Sequence, residues 1–160
     1  MNTYQVRPLT SDDRNWVVGL IEKEWGSRKV VTRGIVHDVI DLDGFIAVRG
    51  DKPIGLLTFW IEGEECEIVT LNSLSKNIGV GSSLIDSVKV TARQSGCRRI
   101  WLITTNDNLA AVRFYQKRGF SMVAVYPGAI EQSRGLKPEI PLIGIDGIPL
   151  RDEIELEMLL

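Results

Sequence analysis

With 160 residues, 44% hydrophobic and 25% charged side chains and a net charge of -2, the chain has enough apolar material for one ordinary domain. That balance shows no overall pull toward nucleic acid or an anionic membrane. Two cysteines outside any CxxC spacing (Cys66, Cys97), a single histidine (His37) and no apolar stretch of about 18 residues argue against a disulfide framework, a metal site and a membrane span. A cytoplasmic protein is expected.

In chain order, "YQVRP" alternates as a short strand. "LTSDDRNWVVGLIEKEW" then offers cap residues Thr10, Ser11 and Asp12 and the apolar positions Trp16, Leu20 and Ile21 of an amphipathic helix. The spacing predicts a second, weaker helix over Val30–Ile40, which puts His37 on a solvent-facing surface. "GFIAVRG", "KPIGLLTFWIEG" and "ECEIVTLNSL" are β-rich runs divided by Gly, Asp and Pro, an antiparallel meander. Val80, Leu84, Ile85, Val88 and Ala92 repeat at helical spacing up to Gly96, which stands where a C-terminal cap belongs.

"RRIWLITTN" reads as a strand, "NLAAVRFYQKR" as a helix closed by Gly119, and "FSMVAVY" as another strand. This alternation predicts a mixed sheet with parallel crossovers. Residues 127–150 hold four prolines and four glycines, too much punctuation for a regular element. Their apolar positions, among them Ile130, Leu136, Leu142, Ile143 and Ile145, predict an extended loop packed over one end of the sheet. The C-terminal "RDEIELEMLL" alternates Ile154, Leu156 and Met158 with Glu153, Glu155 and Glu157, a strand with one apolar and one strongly acidic face. The tryptophans Trp16, Trp25, Trp60 and Trp101 are expected in the core or in a groove wall.

The stretch "SKNIGVGSSLI" places Gly79 and Gly81 where a strand gives way to a helix. A dinucleotide motif requires a third glycine at position 84, which is Leu84, and a Walker A loop requires Gly-Lys-Ser or Gly-Lys-Thr, which the chain lacks. A helix start still presents backbone N–H groups without intrahelical partners at the positive end of the dipole, and glycines let an anion approach them. Lys76 adds a charge, and Ser82 and Ser83 add hydroxyls. The same glycines also suit a plain tight turn. Asn108 and Tyr115, seven residues apart on the next helix, project from one face with Ala111 and Val112 between them. An N-cap asparagine and a core tyrosine account for that pair equally.

Taken together, Glu67–Leu71 ("EIVTL"), Gly79-Val80-Gly81 and "TTNDNLAAVRFYQKRGF" from Thr104 to Phe120 resemble the GNAT-type N-acetyltransferase superfamily in order and spacing. The resemblance runs from the first strand to about Tyr126. It implies one α/β (α+β) domain over residues 1–160: a mixed, mainly antiparallel sheet of about seven strands, flanked by about four helices, with splayed fourth and fifth strands. It further implies acetyl-CoA as acyl donor without a metal, held by Leu71, Ser73, Lys76, Asn77, Ile78, Gly79, Val80, Gly81, Ser82, Ser83 and Asn108. Asn108 would meet the pantetheine, and Tyr115 would lie near the thioester sulfur. Lys76 departs from the Arg or Gln usual three residues before the first glycine, in a loop about two residues short.

The implied reaction is direct attack of an acceptor amine on the thioester. Tyr115 is then the candidate general acid and Glu67 the candidate general base, although Glu67 equally suits a structural carboxylate. The acceptor is an amine on a small molecule or peptide, with residues 127–150 on its side of the sheet. The acidic strand face suits a cationic acceptor, whereas Arg134 and Lys137 suit a carboxylate. No nucleic-acid or membrane partner is expected, and the chain is read as a monomer or homodimer. A non-catalytic acyl-CoA sensor on the same fold is the alternative.

Overall fold

The computed structural model describes residues 3–160. In chain order the elements are β1 (Gln5–Pro8), α1 (Arg14–Trp25), β2 (Lys29–Thr32), β3 (Ile35–Asp38), β4 (Asp43–Arg49), β5 (Lys52–Glu62) and β6 (Glu65–Ser73). There follow α2 (Val80–Gln94), β7 (Arg99–Thr105), α3 (Leu109–Lys117), β8 (Ser121–Tyr126), α4 (Ala129–Leu136) and β9 (Glu153–Leu159). Seven strands form one sheet in the order β1-β4-β5-β6-β7-β9-β8, and β2 pairs with β3 in a separate hairpin. The meander β4-β5-β6 is antiparallel, and β6 with β7 is the parallel pair within the sheet. β9 inserts between β7 and β8 and runs antiparallel to both, so those two strands share a direction without pairing. The fold is the mixed, mainly antiparallel one expected, and no helix among the described residues is long and apolar enough to cross a membrane.

The sheet is covered on both faces. On one, the α2 stripe Val80, Leu84, Ile85, Val88 and Ala92 is buried, packing with Leu57, Phe59, Ile68, Ile100, Leu102 and Leu156. On the other, Val17, Leu20 and Ile21 of α1 pack with Val30, Val39, Leu56 and Val69. The stripe spacing read from the sequence names the buried face of α2 in full; on α1 it finds Leu20 and Ile21, but the third buried position is Val17 and Trp16 is only partly buried. Arg7 of β1 ties the start of α1 to the sheet, donating to both Asp13 carboxylate oxygens at 2.7 and 2.9 Å. That bidentate pairing, with the Thr10 backbone N–H, holds the Asp13 carboxyl down at about 2.

Two expectations are corrected. Val30–Ile40 is not a helix: the β2–β3 hairpin occupies it, with Thr32 opposite Ile35 and Arg33-Gly34 as a two-residue turn, both at positive φ (+48° and +76°). His37 therefore sits on a strand and is buried, not on a helix surface. Residues 127–150 are not wholly irregular either, because α4 forms within them. Gly128 opens it at φ +74°, and Arg134 stitches its end to the carbonyls of Ile140, Pro141 and Leu150. Of the apolar positions expected to pack there, Ile130 is buried, whereas Leu136, Leu142, Ile143 and Ile145 are exposed.

Candidate active site

The parallel ladder between β6 and β7 stops at Ile68 and Leu102. Beyond it β6 continues beside β5 as far as Ser73, and β7 continues beside β9 as far as Thr105. A register shift that leaves Val69 unpaired between Thr58 and Phe59 bends β6 just where the separation begins. The strands expected to splay are thus the ones that do. Their parting opens a cleft of about 610 Å³, lined by Val69, Leu71 and Asn72 on one side and Ile103, Thr104, Thr105 and Asn108 on the other. The end of α1 (Glu24, Trp25), the hairpin (Val30, Val31, Thr32) and the segment after α4 (Lys137, Glu139, Ile140) wall it further.

At the C-terminal end of β6 the chain turns through Asn77 (φ +64°) and Gly79 (φ +80°) into α2. The first intrahelical bond runs from the Ser83 N–H to the Gly79 carbonyl at 3.0 Å, so the N–H groups of Val80, Gly81 and Ser82 precede the ladder. Gly79 is required by its left-handed backbone. Gly81 is required by contact: a Cβ there would lie 2.8 Å from Phe114 Cζ of α3. We expect Gly81→Ala to cost about 2 kcal/mol through overpacking. At roughly 2–4 °C per kcal/mol this reads as a melting temperature about 4–8 °C lower.

The remaining residues of the expected seat have mixed placements. Ile78 packs on the core beside α2, while Ser73 and Lys76 are exposed, and Lys76 makes no ion pair among the described residues. Ser83 Oγ meets the Tyr4 hydroxyl at 2.7 Å. Ser82 Oγ accepts from Arg118 Nε at 2.7 Å, and that guanidinium lies 3.5 Å from the centre of the Phe114 ring. A fork-shaped cation therefore stands beside the start of α2, but it comes from the end of α3 and not from the turn. The string "YQKRGF" shows cations there, and tertiary packing alone selects Arg118.

Asn108 combines both readings of its position: its Oδ1 caps α3 by accepting from the Ala111 N–H at 3.1 Å, and its side chain lines the cleft. Its Nδ2 donors are the part left for a ligand. Tyr115, two turns on, is buried edge-on to Phe114 and Phe120, and burial raises its phenol above the ordinary value. Glu67 is 1% exposed and stands behind the lining, not in it. Thr32, which does line the cleft, donates its hydroxyl to Glu67 Oε2 at 2.7 Å. His37 Nε2 lies 3.4 Å from Glu67 Oε1, a close approach without hydrogen-bond alignment, and its ring meets Trp60 edge-on at 5.1 Å. The Thr32–Glu67–His37 cluster exists because the hairpin folds over β6.

The acidic face of β9 is neither solvated nor available. Glu153 and Glu155 are buried. Glu153 is held by Arg33 at 3.1 Å, and Arg99 bridges Glu155 and Glu157 at 2.9 and 2.8 Å. The Tyr126 hydroxyl donates to Glu155 as well. Of the tryptophans, Trp25 is the one in the cleft wall.

The family described as the acetyltransferase (GNAT) family matches residues 17–120. Two Bacillus subtilis proteins are close in sequence: YdhI, 42% identical over 88% of this chain and 89% of its own length, and YxbD, 37% identical over 92% and 93%. A GNAT family acetyltransferase from Elizabethkingia anophelis with acetyl-CoA bound superposes at a TM-score of 0.73, with 19% identity and full coverage of both chains. A Bacillus subtilis acetyltransferase in complex with CoA superposes at 0.69, with 19% identity and 99% coverage of each. The splayed β6–β7 pair, the helix opening at Gly79 and the Asn108–Phe120 block thus fall within a profile spanning most of the chain, which belongs to the acetyltransferase (GNAT) family.

Proposed function

We propose that the chain transfers an acetyl group from acetyl-CoA to a primary amine of a small molecule or peptide. The observation that carries this reading is the parting of β6 from β7 beside the start of α2. It leaves a slot with unpaired strand edges for an extended arm, and it ends at backbone N–H groups that suit a pyrophosphate. Val80, Gly81 and Ser82 would supply those groups, Arg118 a nearby cation, and Asn108 Nδ2 and the free edge of β6 at Leu71 the contacts along the arm. Acetyl-CoA, when bound, supplies an acyl group activated as a thioester.

The chain's own residues then manage protons. A primary amine has a pKa of about 10, so at pH 7 it must lose a proton before it attacks. Thr32 is the lining residue that leads to a carboxylate: its oxygen accepts the amine proton as its own hydroxyl proton passes to Glu67 Oε2. Tyr115, buried behind the lining and not part of it, would hold a proton at its phenol oxygen for the departing thiolate. Neither cysteine is suited to act as nucleophile, since Cys66 and Cys97 are both buried and burial raises both thiols, that of Cys66 to about 12.

The test is thiol release from acetyl-CoA across a panel of amines. Binding of acetyl-CoA without release for any amine would restore the sensor reading. Tyr115→Phe is expected to lower kcat about 100-fold, toward the low end for acid catalysis, with the KM for acetyl-CoA changed less than about twofold. Because burial raises the phenol, Tyr115 stays protonated beyond its ordinary 10, and kcat in the parent protein should show no alkaline fall from it below that pH. Loss of acetyl-CoA affinity with kcat intact would remove Tyr115 from the acid role.

A further inference from the structure

We propose that the acceptor amine carries a carboxylate and that Lys137 receives it, an inference that rests on the amine-acetylating reading above. Lys137 follows α4 and lines the cleft, yet it is 6% exposed. Its Nζ donates to the Lys29 carbonyl at 2.8 Å, and no carboxylate among the described residues lies within 4.0 Å. An ammonium has three donors, so this one hydrogen bond leaves the charge and most of its hydrogen-bonding capacity unmatched. Burying that charge is costly: desolvation lowers the pKa of Lys137, and the attraction of Glu139, which acts the other way, is the smaller effect.

The other charges on the cleft do not supply the missing partner. Glu153 is held by Arg33, and Asp107 accepts from the Thr105 hydroxyl and the Ile145 N–H. Glu24 is exposed at the rim, and Glu139, also exposed there, attracts Lys137 without an ion pair within 4.0 Å, so its carboxylate stays in water. Arg134, the cation nearest in sequence, spends its guanidinium on backbone carbonyls. A second unmatched group shares the cavity: Asn72 lines it, and its Oδ1 is buried without a donor. One unmatched cation and one unmatched acceptor complement a molecule bearing both an anion and an N–H. Trp25, Val30, Ile130 and Ile140 add an apolar wall suited to a hydrocarbon side chain. Small amino acids with apolar side chains are the class that fits.

The test is calorimetric binding, in the presence of CoA, of N-acetyl α-, β- and γ-amino acids beside their matching N-acetyl carboxamides. These probes match in shape and remove the amine's own titration from the comparison. At least one acid is expected to bind about 10- to 100-fold more tightly than its amide, the range for a charge-assisted hydrogen bond. Lys137→Met should bring that ratio to about 1 while the amide's affinity stays within about twofold. If no acid outbinds its amide in the parent protein, the proposal fails. An equal loss for acid and amide in Lys137→Met would make Lys137 a tie to the hairpin and would also overturn it. Should that variant not fold, the parent ratio alone decides. Failure of every amine to release thiol would defeat the transferase reading, whereas the binding ratio decides this one separately.

Discussion

Replacing Glu67 by Gln is expected to lower kcat about 1,000-fold at pH 7 while leaving the fold intact. The variant keeps the volume of the side chain and an oxygen to accept the Thr32 hydroxyl, so its melting temperature should stay within about 2 °C of the parent. What it loses is a carboxylate able to take the proton that passes through Thr32 from an amine of pKa about 10. The size of the loss should depend on the acceptor: with an amine already neutral at pH 7, the deficit should shrink to about tenfold. Thr32→Val is the companion variant, since Glu67 itself does not line the cleft and Thr32 is its route there. If the relay operates, Thr32→Val falls nearly as far as Glu67→Gln. Full activity in Glu67→Gln would leave Glu67 as a structural carboxylate under the hairpin.

Much of the frame was legible because it rests on local periodicity. The buried stripe of α2, the meander and the Asn108 cap follow from spacing and side-chain chemistry within single elements. The splay is different: it follows from a bulge at Val69 and from β9 entering between β7 and β8, and neither is a property of one segment. Only the family resemblance carried that expectation forward.

The hairpin shows why the rest was hidden. Val30, Val31, Ile35 and Val36 are β-branched and flank a two-residue turn, which is strand chemistry. Arg at the first turn position masks it, because Asn or Asp is the usual residue at positive φ. α4 was hidden for a related reason, since a helix of eight residues containing Gly135 has little intrinsic stability and depends on the Arg134 stitches. The acidic strand misled in the opposite sense. Its alternation is real, but whether a carboxylate is solvated depends on which arginine the fold brings to it, and Arg33 and Arg99 arrive from distant segments. Lys137 gained meaning the same way: a loop cation in the sequence, it is a buried one in the cleft.

Arg33→Ala is expected to give the largest loss of stability among these changes, about 2–3 kcal/mol. Glu153 is 1% exposed and is held by Arg33 through the guanidinium at 3.1 Å, which alanine removes, and through the backbone N–H at 3.3 Å, which alanine keeps. The same guanidinium lies 3.4 Å from the centre of the Tyr126 ring, so truncation also removes a cation–π contact. Removing one member of a buried pair typically costs about 3–5 kcal/mol because the other charge is stranded. The Arg33 side chain is 37% exposed, so water reaches one side of the pair and places the cost at or below the lower end. At roughly 2–4 °C per kcal/mol the melting temperature should fall by about 4–12 °C. The double variant Arg33→Ala with Glu153→Gln removes both charges and should recover more than half of the loss, which a double-mutant cycle with the two single variants reads directly. Because Arg33 clamps the turn of the hairpin that carries Thr32 and walls the cleft, Arg33→Ala should also raise the acceptor KM more than the acetyl-CoA KM. A single variant as stable as the parent would mean that the hairpin is held by its apolar face alone, through Val30 against Val17, Leu56 and Val69.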